Sequence, residues 1–129
     1  MTSRTTAGRR QRAEKLGHQA ERLAIWLLRL KGYHILEKRF RCSAGEIDLI
    51  VRRGKLLAFV EVKAREDAAN ASAAITPKQQ KRIARAAESW LAAKPNLQNL
   101  NVRFDAVLVT PGTFPLWRWP HHIADAWRM

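Results

Sequence analysis

Two short segments carry ionisable residues inside stretches that otherwise have the composition of buried strands. The first is Gly45-Glu46-Ile47-Asp48-Leu49-Ile50, and the second contains Glu61-Val62-Lys63. Removing an unpaired carboxylate from water costs several kcal/mol or forces it to take up a proton, so a strand interior excludes such groups unless their charge is compensated. The simplest compensator for two neighbouring acids is a divalent metal ion.

The two acids are expected to lie on adjacent strands of one hairpin. If its turn is centred on Gly54-Lys55, Asp48 faces Glu61 directly; if it is centred on Arg53-Gly54, Asp48 faces Phe59 and is diagonal to Glu61. Both registers bring the two side chains to cross-strand separations of about 5–8 Å. Carboxylates this close repel and raise one another's pKa unless a cation lies between them.

These residue types favour a magnesium site, with Mn²⁺ as the alternative ion. Asp48 and Glu61 would supply carboxylates and Val62 its backbone carbonyl, since Mg²⁺ prefers oxygen ligands and keeps several waters. Lys63 shares a face with Glu61 and is expected to orient a metal-bound water or to stabilise charge on a phosphate. Glu21, on the flank of a predicted helix, is expected to complete the shell directly or through water.

The charge balance indicates a polyanionic partner. Lys and Arg total 24 against 11 Asp and Glu, giving a formal net charge of +13. Nucleic acid is the favoured partner, DNA before RNA, although an anionic membrane surface and ribosomal contacts fit the charge as well. The single cysteine, Cys42, rules out an intramolecular disulfide and favours a reducing compartment. With no apolar run near the ~18 residues of a membrane span, we expect a cytoplasmic protein without membrane contact.

Hydrophobic periodicity predicts one α/β domain over 11–129, preceded by a disordered basic arm over 1–10. A helix is expected over 11–31 with Gly32 as its C-terminal cap, and a second helix begins at Thr76-Pro77 with Thr76 as N-cap. The predicted order is α-β-β-β-α-β-β, a sandwich around a central mixed sheet. The strands are predicted at 33–40, 46–52, 56–64, 102–109 and 114–119, a loop over 64–74, and a helical turn over 123–127.

Several basic residues are candidates for phosphate contact. Arg65 follows the Glu61-Val62-Lys63 motif and would clamp a phosphate through two hydrogen bonds, although simple solvation of its side chain is as good an interpretation. The remaining candidates lie on the second helix and in the N-terminal arm: Lys78, Lys81, Arg82, Arg9, Arg10 and Arg12.

The order Glu21, Asp48, Glu61-Val62-Lys63 resembles the PD-(D/E)XK nuclease superfamily. A closer resemblance, to the YraN-type bacterial family, covers nearly the whole chain. That family is similar to Holliday-junction resolvases, so the resemblance implies a restriction-endonuclease-like fold and a metal site at Glu21, Asp48, Glu61 and Lys63. Ile47 stands where the superfamily pattern has proline, and Ala20 where many relatives have glycine. The matching segments are 30–36, 45–50, 59–65, 76–78 and 103–105.

Blander interpretations exist for each candidate. Asp48 would then pair with Arg41, Glu61 would form an ion pair with Lys63 on an exposed strand, and Glu21 would be a solvated helix residue. Glu46 is expected to lie in a loop or behind the ligands rather than to bind the metal itself. Contact of Gln79 with the active site is the less favoured interpretation of that residue. Trp117 and Trp119 are expected to pack the C-terminal segment, with stacking on unpaired bases as the alternative. We further expect Asp105 to pair with Arg103 or another buried polar group, Trp26 and Trp90 to lie in the core, and His121 and His122 to lie at the surface.

Three functions remain open from the sequence. The first is a metal-dependent endonuclease acting on DNA, with branched DNA as one substrate and a two-fold symmetric dimer if both strands are cut. The second is a non-catalytic nucleic-acid-binding protein that retains the nuclease fold. The third is a basic accessory protein of ribosomes or another assembly, in which the acids are structural.

Overall fold

A computed structural model of the protein describes residues 17–64, 75–110 and 120–128. These residues form an α/β fold with two helices and a five-stranded mixed sheet, in the predicted order α-β-β-β-α-β-β. This arrangement is consistent with a resolvase-like fold. The elements are α1 (helical over 17–30), β1 (His34–Cys42), β2 (Gly45–Arg53), β3 (Leu56–Ala64), α2 (Pro77–Ala92), a 3-10 turn (Pro95–Leu97), β4 (Asn101–Val109) and β5 (His121–Trp127).

The strands lie in sequence order across the sheet, β1-β2-β3-β4-β5. Tight turns make β1, β2 and β3 an antiparallel meander, and Gly54 supports the second turn with a φ of 61°. β3 and β4 run parallel, which requires a long crossover. α2 lies in that crossover, and it begins where Thr76 accepts a hydrogen bond from the Gln79 amide in a capping box followed by Pro77.

Each face of the sheet is covered by one helix. On one face, α1 packs Ala20, Ala24 and Leu28 against a cluster that includes Leu49 and Val60. The buried side of α2 packs against the other face of the sheet. This second cluster includes Ile50, Phe59, Ile83, Ala87 and Trp90. Successive residues of β2 and β3 are therefore buried in turn against different helices, which explains why these strands are apolar on both sides.

Several local predictions need correction. Residues 123–127 lie in strand β5 rather than in a helical turn. Trp90 is buried as predicted, but Trp26 is 67% exposed. His121 is exposed as expected, whereas the His122 side chain is only 3% exposed. Gly32, with a φ of 90°, takes the left-handed conformation predicted for the C-terminal end of α1.

Some predictions fall on residues outside the described ranges. These are the basic arm over 1–10, most of the loop over 64–74, and the strand over 114–119 with Trp117 and Trp119. Across the parts of the chain that are described, no helix is both long and apolar enough to cross a membrane.

Candidate active site

The hairpin register places Asp48 and Glu61 opposite one another. The β2–β3 pairs run from Arg53↔Leu56 to Leu49↔Val60, so the turn is centred on Gly54-Lys55, the first of the two predicted registers. Asp48 and Glu61 follow the last pair, at the end where the two strands part. There the Val62 amide donates a 2.8 Å hydrogen bond to Oδ2 of Asp48 instead of to a backbone carbonyl.

The pKa of each carboxyl group, Asp48 and Glu61, is raised above its ordinary value. Burial raises the pKa of Asp48, as does the nearby Glu21 carboxylate, and the bond from the Val62 amide does not offset them. Burial and repulsion from Asp48 raise the pKa of Glu61 to about 8. With a pKa of about 8, Glu61 is largely protonated near neutral pH when no cation is bound.

Lys63 lies on the same face as Glu61, as strand alternation predicts. Its Nζ is 3.4 Å from Oε1 of Glu61, and both side chains are largely buried, with 20% and 15% exposed. This arrangement differs from the alternative of an ion pair on an exposed strand, because the pair is sheltered and adjoins a second carboxyl group. One lysine beside two acids leaves the cluster with an excess of negative charge when both are ionised.

Glu21 is held close to this cluster by Arg39. The Arg39 guanidinium contacts Oε2 of Glu21 at 2.8 Å and also bonds to the His18 ring. Arg39 adopts a φ of 53°, unusual for a residue with a side chain. Side chains three residues apart in a regular strand point to opposite faces, yet Ile47 and Ile50 both lie in the core on the α2 side. The regular alternation of β2 is therefore interrupted next to Asp48. The interruption allows groups from both faces of the sheet to approach Asp48.

An open cavity of about 530 Å³ adjoins Glu61. It lies between the β1–β2 turn and α2, and Gln79 and Arg82 line its helical side. Gln79 lies at the cavity, which was the less favoured interpretation of the sequence, and its side chain accepts a hydrogen bond from the Thr76 amide. The turn approaches α2 so closely that a Cβ on Gly45 would lie 3.2 Å from Arg82 Cβ, which explains the glycine that opens the Gly45–Ile50 segment.

The carboxylate oxygens of Asp48 and Glu61 suit a hard divalent cation, but two acidic side chains do not fill its coordination shell. Across the described ranges, no three His, Cys, Asp or Glu side chains converge closely enough to hold a metal ion. Asp48 and Glu61 would therefore need backbone oxygen and water to complete a shell, which Mg²⁺ accepts more readily than most metals. Burial raises the pKa of both acids by more than the nearby Lys63 lowers it, so a further cation at this position would favour their ionised forms.

The arginines and lysines predicted to pair with Asp48 or to contact phosphate lie in several different places. Arg41 pairs with Glu46, at 3.2 Å and on the surface, so the alternative pairing of Asp48 with Arg41 is wrong. Lys78, Lys81 and Arg82 are exposed on α2, and Arg82 reaches the cavity. The remaining basic candidates, Arg65, Arg9, Arg10 and Arg12, lie outside the described residues.

A second polar cluster surrounds Asp105, which is fully buried in β4. Arg103 binds both of its carboxylate oxygens at 2.7 Å, confirming that predicted pair, and His122 and the Asp125 amide also bond to it. Burial by itself raises the pKa of Asp105, but these hydrogen bonds outweigh it and lower the pKa to about 2. Sequence reasoning missed His122 because no spacing rule links it to Asp105.

Residues 20–109, which span both acidic segments and α2, match the profile described as "Uncharacterised protein family UPF0102". The chain belongs to this family. The match confirms the YraN-type resemblance, since UPF0102 is that group.

UPF0102 relatives are similar over most of their length. A UPF0102 protein of Parvibaculum lavamentivorans is 52% identical over 116 residues, covering 90% of this chain and 84% of the relative. One from Methylocella silvestris is 53% identical over 110 residues, covering 85% of each. The UPF0102 protein amb4503 of Paramagnetospirillum magneticum is 48% identical over 133 aligned positions, covering 100% of this chain and 99% of the relative.

Proposed function

We propose that this UPF0102 protein is a metal-dependent endonuclease that hydrolyses phosphodiester bonds in DNA, with branched DNA as its substrate class. The observation that carries the proposal is the buried pair of Asp48 and Glu61. Both carboxyl groups have a raised pKa, and Lys63 lies 3.4 Å from Glu61. A protein gains no stability from two such groups, so their placement favours a catalytic or metal-binding role.

The metal is part of the proposal. Asp48, Glu61 and the Val62 carbonyl would hold Mg²⁺ or Mn²⁺, with Glu21 reaching it through water because Arg39 occupies one of its oxygens. When bound, the ion would supply an acidified water as nucleophile and neutralise charge on the phosphate.

The residues of the site have separate roles in this chemistry. The Val62 amide fixes one oxygen of Asp48 and leaves the other free to act as a ligand. Glu61 must give up its proton to act as a ligand, and Lys63 favours its ionised form. With a cation held by Glu61, the Lys63 ammonium would be available to contact the phosphate or the attacking water.

The surroundings of the site suit a nucleic-acid substrate. The cavity beside Glu61 admits a phosphate and is lined by Arg41 and Arg82. Lys78 and Lys81 extend the basic surface along α2, where backbone phosphates would bind without regard to base sequence. The net charge of +13 supports the same partner.

The test is cleavage of a labelled panel of duplex, single strand, flap, four-way junction and structured RNA. Each substrate is incubated with Mg²⁺, Mn²⁺ or chelator. We expect cutting of branched DNA only with metal, and a loss of at least about 100-fold in Glu61→Ala and Lys63→Ala, because each removes a group that acts at the phosphate.

Glu88→Ala is the matched control. Glu88 is an exposed acid on α2 that does not line the cavity beside Glu61, so its removal should leave cleavage unchanged. Cleavage that persists in Glu61→Ala would show a contaminating nuclease and would remove the support for the proposal.

One observation favours a non-catalytic nucleic-acid-binding protein as the second candidate. Glu21 is neutralised by Arg39 and Glu61 contacts Lys63, so two of the three acids already have an internal cation. For this candidate, calorimetry would show no Mn²⁺ binding while DNA binding remained tight and equal in wild type and Glu61→Ala. Binding of Mn²⁺ that is lost in Asp48→Asn would exclude it.

A further inference from the structure

The outer face of α1 presents an exposed tryptophan between two arginines. Trp26 is 67% exposed and Leu30, one turn later, is 66% exposed, although tryptophan is usually among the more buried residues. Arg22 and Arg29 are exposed on the same face, and neither forms an ion pair with a carboxylate of the described residues. A flat aromatic ring flanked by cations that have no carboxylate partner among the described residues suits a partner that provides both an apolar face and negative charge.

We propose that this surface, formed by Arg22, Trp26, Arg29 and Leu30, binds an unpaired segment of nucleic acid, with a base stacked on Trp26 and phosphates held by the arginines. Bases stack on aromatic rings in sequence-tolerant single-strand binding, and cationic side chains follow the backbone. The inference rests on the nucleic-acid partner of the proposed function, but it does not depend on hydrolysis.

The position of the surface connects it with the acidic site. At about 100° per residue, moving around α1 from Glu21 leads first to Arg29 and Arg22 and then to Trp26. Trp26 is about 7.5 Å further along the helix axis than Glu21 and about 140° around it, and Arg22 lies between them in both respects. A strand leaving the site over α1 would therefore meet Arg22 before Trp26. An unpaired arm next to a branch point has the flexibility to follow this route.

A second copy of the chain is a poorer occupant of this surface. Two-fold pairing through Trp26 would bring Arg22 and Arg29 towards the same residues of the partner, and the whole chain carries a net charge of +13. Like charges at an interface oppose association. An anionic partner gains from the same arginines.

The experiment compares wild type, Trp26→Ala and Trp26→Phe by fluorescence anisotropy, in chelator so that no DNA is cut. The probes are a labelled unstructured single strand and a blunt duplex of equal length. We expect Trp26→Ala to bind the single strand roughly 5- to 150-fold more weakly, the range for one stacked base, and to bind the duplex as wild type does. Trp26→Phe keeps an aromatic face and should retain most of the affinity.

Several outcomes would overturn the inference. Equal binding of the single strand by wild type and Trp26→Ala would remove it and leave the proposed endonuclease intact. An equal loss on both probes would show that Trp26 does not select unpaired bases. A change from dimer to monomer in Trp26→Ala, measured by sedimentation, would assign the surface to a second copy. Absence of binding by wild type to either probe would remove both this inference and the DNA partner.

Discussion

The Val62 amide donates a 2.8 Å hydrogen bond to Oδ2 of Asp48 where β2 and β3 part. Val62 lies between Glu61 and Lys63 in the same strand, so this one bond ties Asp48 to the backbone that carries both. The relative positions of the three side chains are consequently determined by strand geometry, which is more rigid than a loop. A substitution that alters the hairpin end should disturb all three together.

Replacing Glu61 with glutamine should change how stability depends on pH. The pKa of Glu61 is raised from 4.5 to about 8 in the fold, so the folded chain retains a proton that the unfolded chain has released. The stability associated with the protonated form is complete below pH 4.5 and is lost as the pH rises through 8. Without metal, Glu61→Gln should gain on the order of 2–4 kcal/mol over wild type between about pH 5 and 8.5.

Urea unfolding in chelator at both pH values measures this difference. Glu46→Gln serves as the control, since Glu46 is 61% exposed and its stability difference from wild type should not vary with pH. A difference between wild type and Glu61→Gln that stays constant with pH would show that the carboxyl group is ionised throughout.

Asp105→Asn should be strongly destabilising. Asp105 is fully buried and accepts hydrogen bonds from Arg103, His122 and the Asp125 amide. Removing its charge leaves the largely buried Arg103 without its counter-ion, which we expect to cost about 3–5 kcal/mol in urea unfolding at neutral pH. Because the pKa of Asp105 is lowered from 3.8 to about 2, its contribution is complete above pH 3.8 and is lost as the pH falls through 2.

Asp125→Asn is the control for that measurement. Among the described residues, its carboxylate pairs only with Arg128, which is 86% exposed, and asparagine tolerates the φ of 53° at this position. A cost below about 1 kcal/mol is expected. If Asp105→Asn were equally mild, the buried cluster would contribute little to stability.

Gly45→Ala should loosen the contact between the β1–β2 turn and α2. The added Cβ would lie 3.2 Å from Arg82 Cβ and from the Arg82 carbonyl oxygen, so the turn or the helix must shift. A cost of about 1–3 kcal/mol is expected from this overpacking.

Gly17→Ala makes the same chemical change where there is space. Nothing lies within 4 Å of a Cβ at Gly17, which is helical, so stability should rise by about 0.5–1 kcal/mol. Thermal unfolding of both variants should therefore shift in opposite directions. A stabilising Gly45→Ala would show that the turn does not pack closely on α2.

Arg82→Ala should lower the salt dependence of duplex binding. If Arg82 contacts one phosphate, the slope of log K against log salt should fall in magnitude by about 0.9. Arg128→Ala is the control, because Arg128 lines a different cavity with Leu56 and Asn101, at the other end of β3. Slopes that change equally in both variants would indicate diffuse attraction to the whole surface.

Local pattern was sufficient to predict much of this fold. The turn at Gly54-Lys55 and the alternation of β3 depend on neighbours in sequence, and so the opposition of Asp48 and Glu61 was one of two predicted registers. The cap at Thr76 is equally local. The periodicity of α2 predicted its buried face, including Trp90.

Features that depend on distant segments were not predictable. The φ of 53° at Arg39 and its contact with Glu21 arise where β1 meets α1. The short pattern over 123–127 predicts a helical turn, because nothing in it reveals that the segment pairs with β4. Trp26 was assigned to the core from its residue type, but it lies on the outer face of α1.

The two kinds of strand pairing also separate the folding of this chain into stages. The β2–β3 hairpin closes over a two-residue turn. The parallel β3–β4 ladder instead requires closing the long connection from Ala64 to Asn101, which contains α2. Short loops close first because their entropic cost is smaller. We therefore expect Asp48 and Glu61 to meet while still hydrated, and their mutual repulsion to become costly only when α2 and β4 exclude water from them. On this hypothesis, replacing Glu61 with glutamine would change the unfolding rate more than the folding rate.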